Sequence, residues 1–282
     1  MAYSNVPIGT ANPGCFVILL DQSASMNEDW GDGTTKADGA ARAVNRVLEE
    51  LVLACQSGED VKDRCCVSVV GYGGIGGRVD CVVNGMISDI VSAMIEVKKV
   101  KKRMPDGAGG FIECEVEMPI WVEACAENGT PMHKAFDMAA DVIQNWCEER
   151  PNGFPPSVIN VTDGMASEPA LTTEAARRVM TLGTTDGKAL VYNLHIGNIG
   201  GEIILPNDNS AFLGDRPAEF LFSISSMLPD ALRDEALAEG IPAEPDTRCF
   251  AYNAREVWMI KLLQFGSLQP LARGQTPTPL PA

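Results

Sequence analysis

Residues 15–20 read Cys-Phe-Val-Ile-Leu-Leu and end on Asp21. A half-solvated strand alternates apolar and polar side chains. An unbroken apolar run of this length reads as a strand covered on both faces, hence a central strand of a parallel sheet. Such a sheet needs helices above and below it, and the following sequence supplies them. A polar, Gly-rich loop runs from Asn27 to Thr35. Over 36–56, Ala40, Ala43, Val44, Val47, Leu48, Leu51 and Val52 share one helical face. Residues 65–70 are a second apolar strand, Gly71 to Gly77 a turn, and Val79 to Val83 a third strand. The short connection predicts that these two pair antiparallel.

Residues 95–120 break this rhythm. Ile112, Cys114, Val116, Met118 and Ile120 alternate with Glu113, Glu115 and Glu117. The opposing arm carries Lys98, Lys99, Lys101, Lys102 and Arg103, and Asp106 to Gly110 supplies a turn. The pattern predicts an inserted β-hairpin with cross-strand Lys–Glu pairs, each contributing about 0.2–1 kcal/mol.

Beyond it, helix and strand alternate again. The helix at 131–148 buries Met132, Ala135, Phe136, Ala139, Ala140, Ile143 and Trp146. Strands follow at 158–162, 189–196 and 249–252, with helices at 174–182, near 223–239 and at 254–265. This alternation predicts an α/β protein: a three-layer, Rossmann-like, doubly wound sheet, mostly parallel with one antiparallel edge strand. Residues 1–12 read as an N-terminal extension and 13–267 as one domain. Residues 268–282, rich in Pro, Gly and Thr, are predicted to be disordered.

Charge narrows the ligand. Asp and Glu outnumber Lys and Arg 38 to 22, a net charge of −16. Nucleic acid and anionic membrane call for an excess of cations, so this balance argues against both. It suits cations or basic protein surfaces. The nine cysteines are odd in number and have no CxxC spacing, which fits neither a disulfide framework nor a zinc site. Several lie inside apolar runs and read as buried, reduced thiols. Those thiols, and an N-terminus with no basic region before its first short apolar run, predict a cytoplasmic protein.

Three segments fall where open α/β sheets bind ligands, at the carboxyl ends of strands. Asp21-Gln22-Ser23-Ala24-Ser25-Met26 follows the first strand, Gly129-Thr130-Pro131-Met132 precedes a helix, and Val161-Thr162-Asp163-Gly164 closes another strand. Alternation along one surface loop lets Asp21, Ser23 and Ser25 converge. Thr130 adds a third hydroxyl and Asp163 a second carboxylate, acting directly or through water. This hard-oxygen set suits Mg²⁺, with Mn²⁺ or Ca²⁺ as alternatives. Two carboxylates among neutral hydroxyls leave such an ion electropositive and open to an outside carboxylate. Singly, each segment is ordinary: a polar loop, a Thr that caps a helix, a strand before a turn. Their combination defines a candidate metal site.

With Ile18-Leu19-Leu20 before Asp21 and Asn160 before Val161, these segments resemble the von Willebrand factor type A family. Its metal-ion-dependent adhesion site has the pattern D-x-S-x-S, then Thr, then Asp, and all five positions are present. The resemblance spans roughly residues 10 to 267. Ala24 stands where Gly is frequent, which alters no ligand, and the 95–120 hairpin is absent from integrin-like members. Pro119-Ile120-Trp121-Val122-Glu123, Phe154-Pro155-Pro156-Ser157-Val158-Ile159-Asn160 and Phe250-Ala251-Tyr252-Asn253-Ala254 are similar to stand-alone bacterial cytoplasmic members from tellurite-resistance and stress gene neighbourhoods. The resemblance implies non-catalytic, metal-dependent binding of a protein that supplies an Asp or Glu. It also implies a signalling partner, a protein kinase or a metal-dependent Ser/Thr phosphatase.

Other motifs compete less well. Gly71-Tyr72-Gly73-Gly74-Ile75-Gly76 matches GxGxxG, but a strand follows where a dinucleotide site needs a helix. The two histidines, His133 beside Thr130 and His195 near a strand end, give poor support for acid–base catalysis. The enzymatic rival is a Mg²⁺-dependent phosphatase of haloacid-dehalogenase type. It needs a carboxylate two residues after its nucleophile, where Ser23 stands, and a lysine that the sequence does not single out. The stretch Asn27 to Asp32 lacks EF-hand spacing and reads as a solvated acidic rim. Trp30 within it is either a partner anchor or a packing residue.

Overall fold

The computed structural model describes residues 8–262 except 32, 106–110, 198–199, 239 and 256. In chain order its principal strands are β1 (Gly14–Asp21), β2 (Cys65–Tyr72), β3 (Val79–Met86), β4 (Glu96–Pro105), β5 (Phe111–Ile120), β6 (Ser157–Thr162), β7 (Leu190–His195), β8 (Ile203–Ile204) and β9 (Phe250–Tyr252). The helices are α1 (Lys36–Cys55), α2 (Ile87–Ser92), α3 (Met132–Glu149), α4 (Pro169–Thr181), α5 (Arg216–Ser223) and α6 (Asp230–Ala238).

β1 is buried along its whole length, as its unbroken apolar run predicts. Successive side chains leave opposite faces of a strand. Phe16, Ile18 and Leu20 therefore enter one apolar cluster, which also holds the buried faces of α1, α2 and α6. Cys15, Val17 and Leu19 enter a second cluster with α3, α4 and α5. Each such buried aliphatic side chain contributes about 1.5–3 kcal/mol. Helices thus cover both faces of one seven-stranded sheet, ordered β8-β9-β7-β6-β1-β2-β3. The strands β9, β7, β6, β1 and β2 are parallel. β3 is antiparallel to β2, as the short Gly-rich connection predicts. The far edge carries a second antiparallel strand, the two-residue β8 on β9. Two residues are too few to show a period in sequence.

Helix boundaries differ from expectation where proline decides them. α4 starts at Pro169 rather than 174, because proline at the first helical position forfeits no hydrogen bond. Of the helix expected near 223–239, the part over 230–238 forms, as α6; α5 precedes it over 216–223, and a segment ending in Pro229 separates the two. α1 opens with a capping box in which Thr35 and Asp38 satisfy each other's backbone amides. The last expected helix is described over 257–262, and the 268–282 tail lies outside the described residues.

The hairpin forms as predicted, as a separate two-stranded ribbon. Its register pairs Lys99 with Glu117, Lys101 with Glu115 and Arg103 with Glu113, while its turn lies outside the described residues. Its exit arm is tied to α1 by one buried side chain. Asn45 Oδ1 accepts from the backbone amides of Trp121 and Val122, both at 2.9 Å, and Asn45 Nδ2 donates to the Val122 carbonyl at 2.8 Å. Trp121 Nε1 donates to the Ile90 carbonyl at 2.6 Å. Among the described cysteines, Cys15, Cys55, Cys65, Cys147 and Cys249 are buried free thiols, and the Cys55 and Cys65 sulfurs lie 4.0 Å apart. No helix among the described residues is long and apolar enough to cross a membrane.

Asn45→Ala strands three buried backbone groups at the root of the hairpin. Urea unfolding should show a loss of about 2–4 kcal/mol; a loss near zero would mean that water or a rearranged backbone replaces the amide.

Candidate metal centre

Strand order reverses between β1 and β6: β2 and β3 lie to one side, β7 and β9 to the other. Open α/β sheets bind ligands at such switch points, outside the carboxyl ends of the strands. Asp21 ends β1, and Asp163 directly follows β6. The register of β1 on β6 ends with Leu20 opposite Val161, and just beyond it the Thr162 hydroxyl donates to Asp21 Oδ2.

A 3₁₀ turn over Ala24–Asn27 bends the next loop back over these strand ends. The Ser23 amide donates to Asp21 Oδ1 at 2.8 Å. Ser23 Oγ and Ser25 Oγ lie 3.2 Å apart, and Ser25 Oγ donates to Asp163 Oδ1 at 2.7 Å. Three oxygens from two loops therefore sit in a row at 2.7–3.2 Å steps. Adjacent vertices of an octahedron with metal–oxygen distances of about 2.1 Å are about 3 Å apart. The donor chemistry and this spacing fit a hard divalent cation.

Thr130 enters from a third loop. The Ala24 amide donates to the Asn128 carbonyl at 2.8 Å, and the Glu127 amide to the Gln22 carbonyl at 3.0 Å, which pins the 127–130 segment along the Asp21–Ser25 loop. Thr130 N donates to Ser167 Oγ at 3.1 Å, and its carbonyl accepts from the Ser167 amide at 3.0 Å. Thr130 thus joins the loop after Asp163. Pro131, not Thr130, holds the N-cap position of α3. The structure links Asp21, Ser23, Ser25 and Asp163 side chain to side chain or through the Ser23 amide, and brings Thr130 beside them through its backbone. Among the described residues, no three His, Cys, Asp or Glu side chains cluster as a metal site; the donors here are two carboxylates among hydroxyls.

Two expectations need correction. Asp21 is not a surface-loop carboxylate: it is the last residue of β1 and 1% exposed. Burial pushes its pKa up to about 6, against the opposing hydrogen bonds from Ser23 and Thr162. And the site does have a lysine. Lys36 Nζ, at the first position of α1, donates to Asp163 Oδ2 at 2.8 Å and to Glu28 Oε2 at 2.6 Å. Its side chain is 6% exposed and that of Asp163 1%. Burial opposes the ammonium, but hydrogen bonds to Asp163 and Glu28 outweigh it and raise its pKa. Lys36 and Ser167 carry no motif, and Thr162 stands in one only as the neighbour of Asp163.

The remaining motifs have structural roles. The glycine loop after β2 leads into β3 through a short 3₁₀ turn. Gly73 has φ +84°, and a Cβ there would fall 2.2 Å from the Gly129 carbonyl oxygen and 3.2 Å from the Ser23 amide nitrogen. Glycine at 73 therefore lets three loops meet at the site. Trp30 packs on Gly39 of α1, where a Cβ would lie 2.0 Å from its ring, which favours the packing reading. His195 is buried at the end of β7 and stacks on Tyr252 with ring centroids 5.2 Å apart. Burial lowers its pKa. His133 lies in the first turn of α3.

With this geometry in hand, the fold can be placed. The pilus adhesin SpaC from Lactobacillus rhamnosus GG is similar over 92% of this chain and 30% of its own, at 13% identity and a TM-score of 0.53. The chain therefore spans less than a third of that adhesin. PilB minor pilin from Streptococcus sanguinis aligns over 93% of this chain and 62% of its own, at 8% identity and a TM-score of 0.48. Manganese-loaded Plasmodium vivax TRAP protein aligns over 91% and 74%, at 12% identity and a TM-score of 0.44. No family model and no curated protein matches the sequence. The fold is that of a von Willebrand factor type A-like domain: a mostly parallel seven-stranded sheet between two helical layers.

Asp21 supplies a pH test. Its folded pKa of about 6 lies above the ordinary aspartate value of 3.8, so the folded state takes up this proton first. The group's stabilising contribution is fully present in acid and fades as pH rises through 6. In EDTA, the wild type should gain about 1 kcal/mol relative to Asp21→Asn between pH 7 and pH 5 in chemical unfolding. Equal pH profiles for the two proteins would contradict the burial argument.

Proposed function

We propose that this chain is a non-catalytic, metal-dependent protein-binding module. Asp21, Ser23, Ser25, Thr130 and Asp163 would hold Mg²⁺, or Mn²⁺ or Ca²⁺ in its place, and an Asp or Glu of a partner protein would complete the coordination. The observation that carries this reading is the row of oxygens from Ser23 through Ser25 to Asp163 at the sheet's switch point, above the buried Asp21. Neutral hydroxyls orient an ion without cancelling its charge, which leaves it attractive to an incoming carboxylate. The fold it shares with a pilus adhesin agrees with a binding role. The family resemblance in the motifs extends the proposal to a bacterial cytoplasmic signalling or stress complex, with a protein kinase or a metal-dependent Ser/Thr phosphatase as partner. Buried free thiols suit a reducing compartment.

The rival phosphatase reading gains one element, since Lys36 places a cation on the site. It still lacks its general acid. The position two residues beyond Asp21 is Ser23, a hydroxyl beside Ser25 Oγ and too weak an acid to protonate a leaving group. Lys36 is also committed to Asp163 and Glu28 rather than to Asp21.

Affinity capture from source-cell lysate tests the proposal. A partner should be retained in Mg²⁺ and lost both in EDTA and with Asp21→Asn, a variant that keeps the size of the side chain. Retention in all three conditions would overturn the metal mechanism. Turnover of p-nitrophenyl phosphate by the wild type, abolished in Asp21→Asn, would instead establish the phosphatase.

A further inference from the structure

Lys36 is a residue that local rules disfavour. It occupies the first position of a 20-residue helix, where the unpaired amides and the macrodipole favour anions over cations. It is also 5% exposed, and lysine is seldom buried without a partner. The capping box of Thr35 and Asp38 already completes this helix end. What holds Lys36 there is tertiary: Asp163, 127 positions away in sequence, and Glu28 on the solvent side.

The two oxygens of Asp163 are divided. Oδ1 accepts from Ser25 in the hydroxyl row, and Oδ2 accepts from the Lys36 ammonium. A cation seated among the hydroxyls would face Lys36 Nζ across a single carboxylate. Buried charges are poorly screened, so the two cations would compete for the same negative charge. Without a divalent ion, Asp163 would be a buried carboxylate in need of a counter-charge, and the ammonium provides it.

We infer that Lys36 is a built-in counter-cation that stands in for the metal at Asp163 and lowers the site's affinity for a divalent ion. The inference rests on the metal-binding reading and adds its regulation. The ammonium keeps the metal-free loop cluster folded and makes the site a weak one, which an anionic partner then strengthens. Metal and partner carboxylate would accordingly bind with positive coupling, and each would raise the other's affinity by the same factor.

Isothermal titration of the purified chain with Mn²⁺ tests this, using wild type, Lys36→Met and Lys36→Arg. Lys36→Met removes the charge and keeps the length; it should bind Mn²⁺ about tenfold more tightly than wild type or better. Lys36→Arg keeps the charge and should bind like wild type. In EDTA, Lys36→Met should melt at a lower temperature than wild type, and saturating Mn²⁺ should raise its midpoint by more. If Lys36→Met fails to fold without metal, Lys36→Gln retains a hydrogen-bond donor toward Asp163 and carries the same expectation of tighter binding. Wild type that binds Mn²⁺ beside an uncharged variant that binds no more tightly would overturn the inference while leaving the metal reading intact. Failure of every form to take up Mn²⁺ would overturn the metal reading, and this inference with it.

Discussion

A carboxylate at the end of a fully buried central strand governs the rest of this molecule. β1 has helices on both faces and a parallel strand on each side, so Asp21 is held away from solvent at the centre of the sheet. A buried charge needs hydrogen bonds or a counter-ion. The end of β6 and the loop following β1 supply the first, through the Thr162 hydroxyl and the Ser23 amide. The raised pKa of Asp21 shows that these do not fully offset its desolvation. A divalent cation would complete the compensation, and the hydroxyls nearby are of the kind that bind one without neutralising it.

Bringing three loops together at one point is a problem of backbone packing as much as of side-chain choice. Gly73 takes a left-handed conformation and lies where any Cβ would strike the Gly129 carbonyl. Asn128 is bonded through its amide to the Gly73 carbonyl and through its own carbonyl to the Ala24 amide, so it ties the glycine loop to the Ser23–Ser25 turn. Beneath them, Tyr72 donates to Asn160, Asn160 to Asn193 and Asn193 to Ser225, a buried polar chain that crosses from β2 to the end of α5. Satisfied networks of this kind rigidify a core and resist rearrangement. The site is therefore borne by the sheet rather than by its loops alone.

The sheet was legible because its signals are local and periodic. The apolar run of Cys15–Leu20, the helical face from Ala40 to Leu51 and the Lys–Glu alternation of the hairpin each report one element's environment. The helix expected near 223–239 was started too early because an apolar pattern runs on through Pro229, α5 before it was missed, and so was β8, because two residues have no period. At the site, the D-x-S-x-S loop, Thr130 and Asp163 were visible as types at strand ends. Lys36 was not, because its meaning lies in an ion pair spanning 127 positions, and at a helix start it resembles any exposed lysine. The GxGxxG string shows the converse: a motif whose glycines serve loop contact, with no helix after it to hold a phosphate.

The most direct measurement is an anomalous difference map from a crystal grown in Mn²⁺. The account predicts one strong peak above the end of β1, within about 2 Å of the Ser23 and Ser25 hydroxyls. Thr130 and Asp163 should lie in its coordination sphere or one water away. A map with no peak there, in a crystal that holds Mn²⁺ elsewhere, would contradict the central claim and leave Lys36 as the only cation of the site.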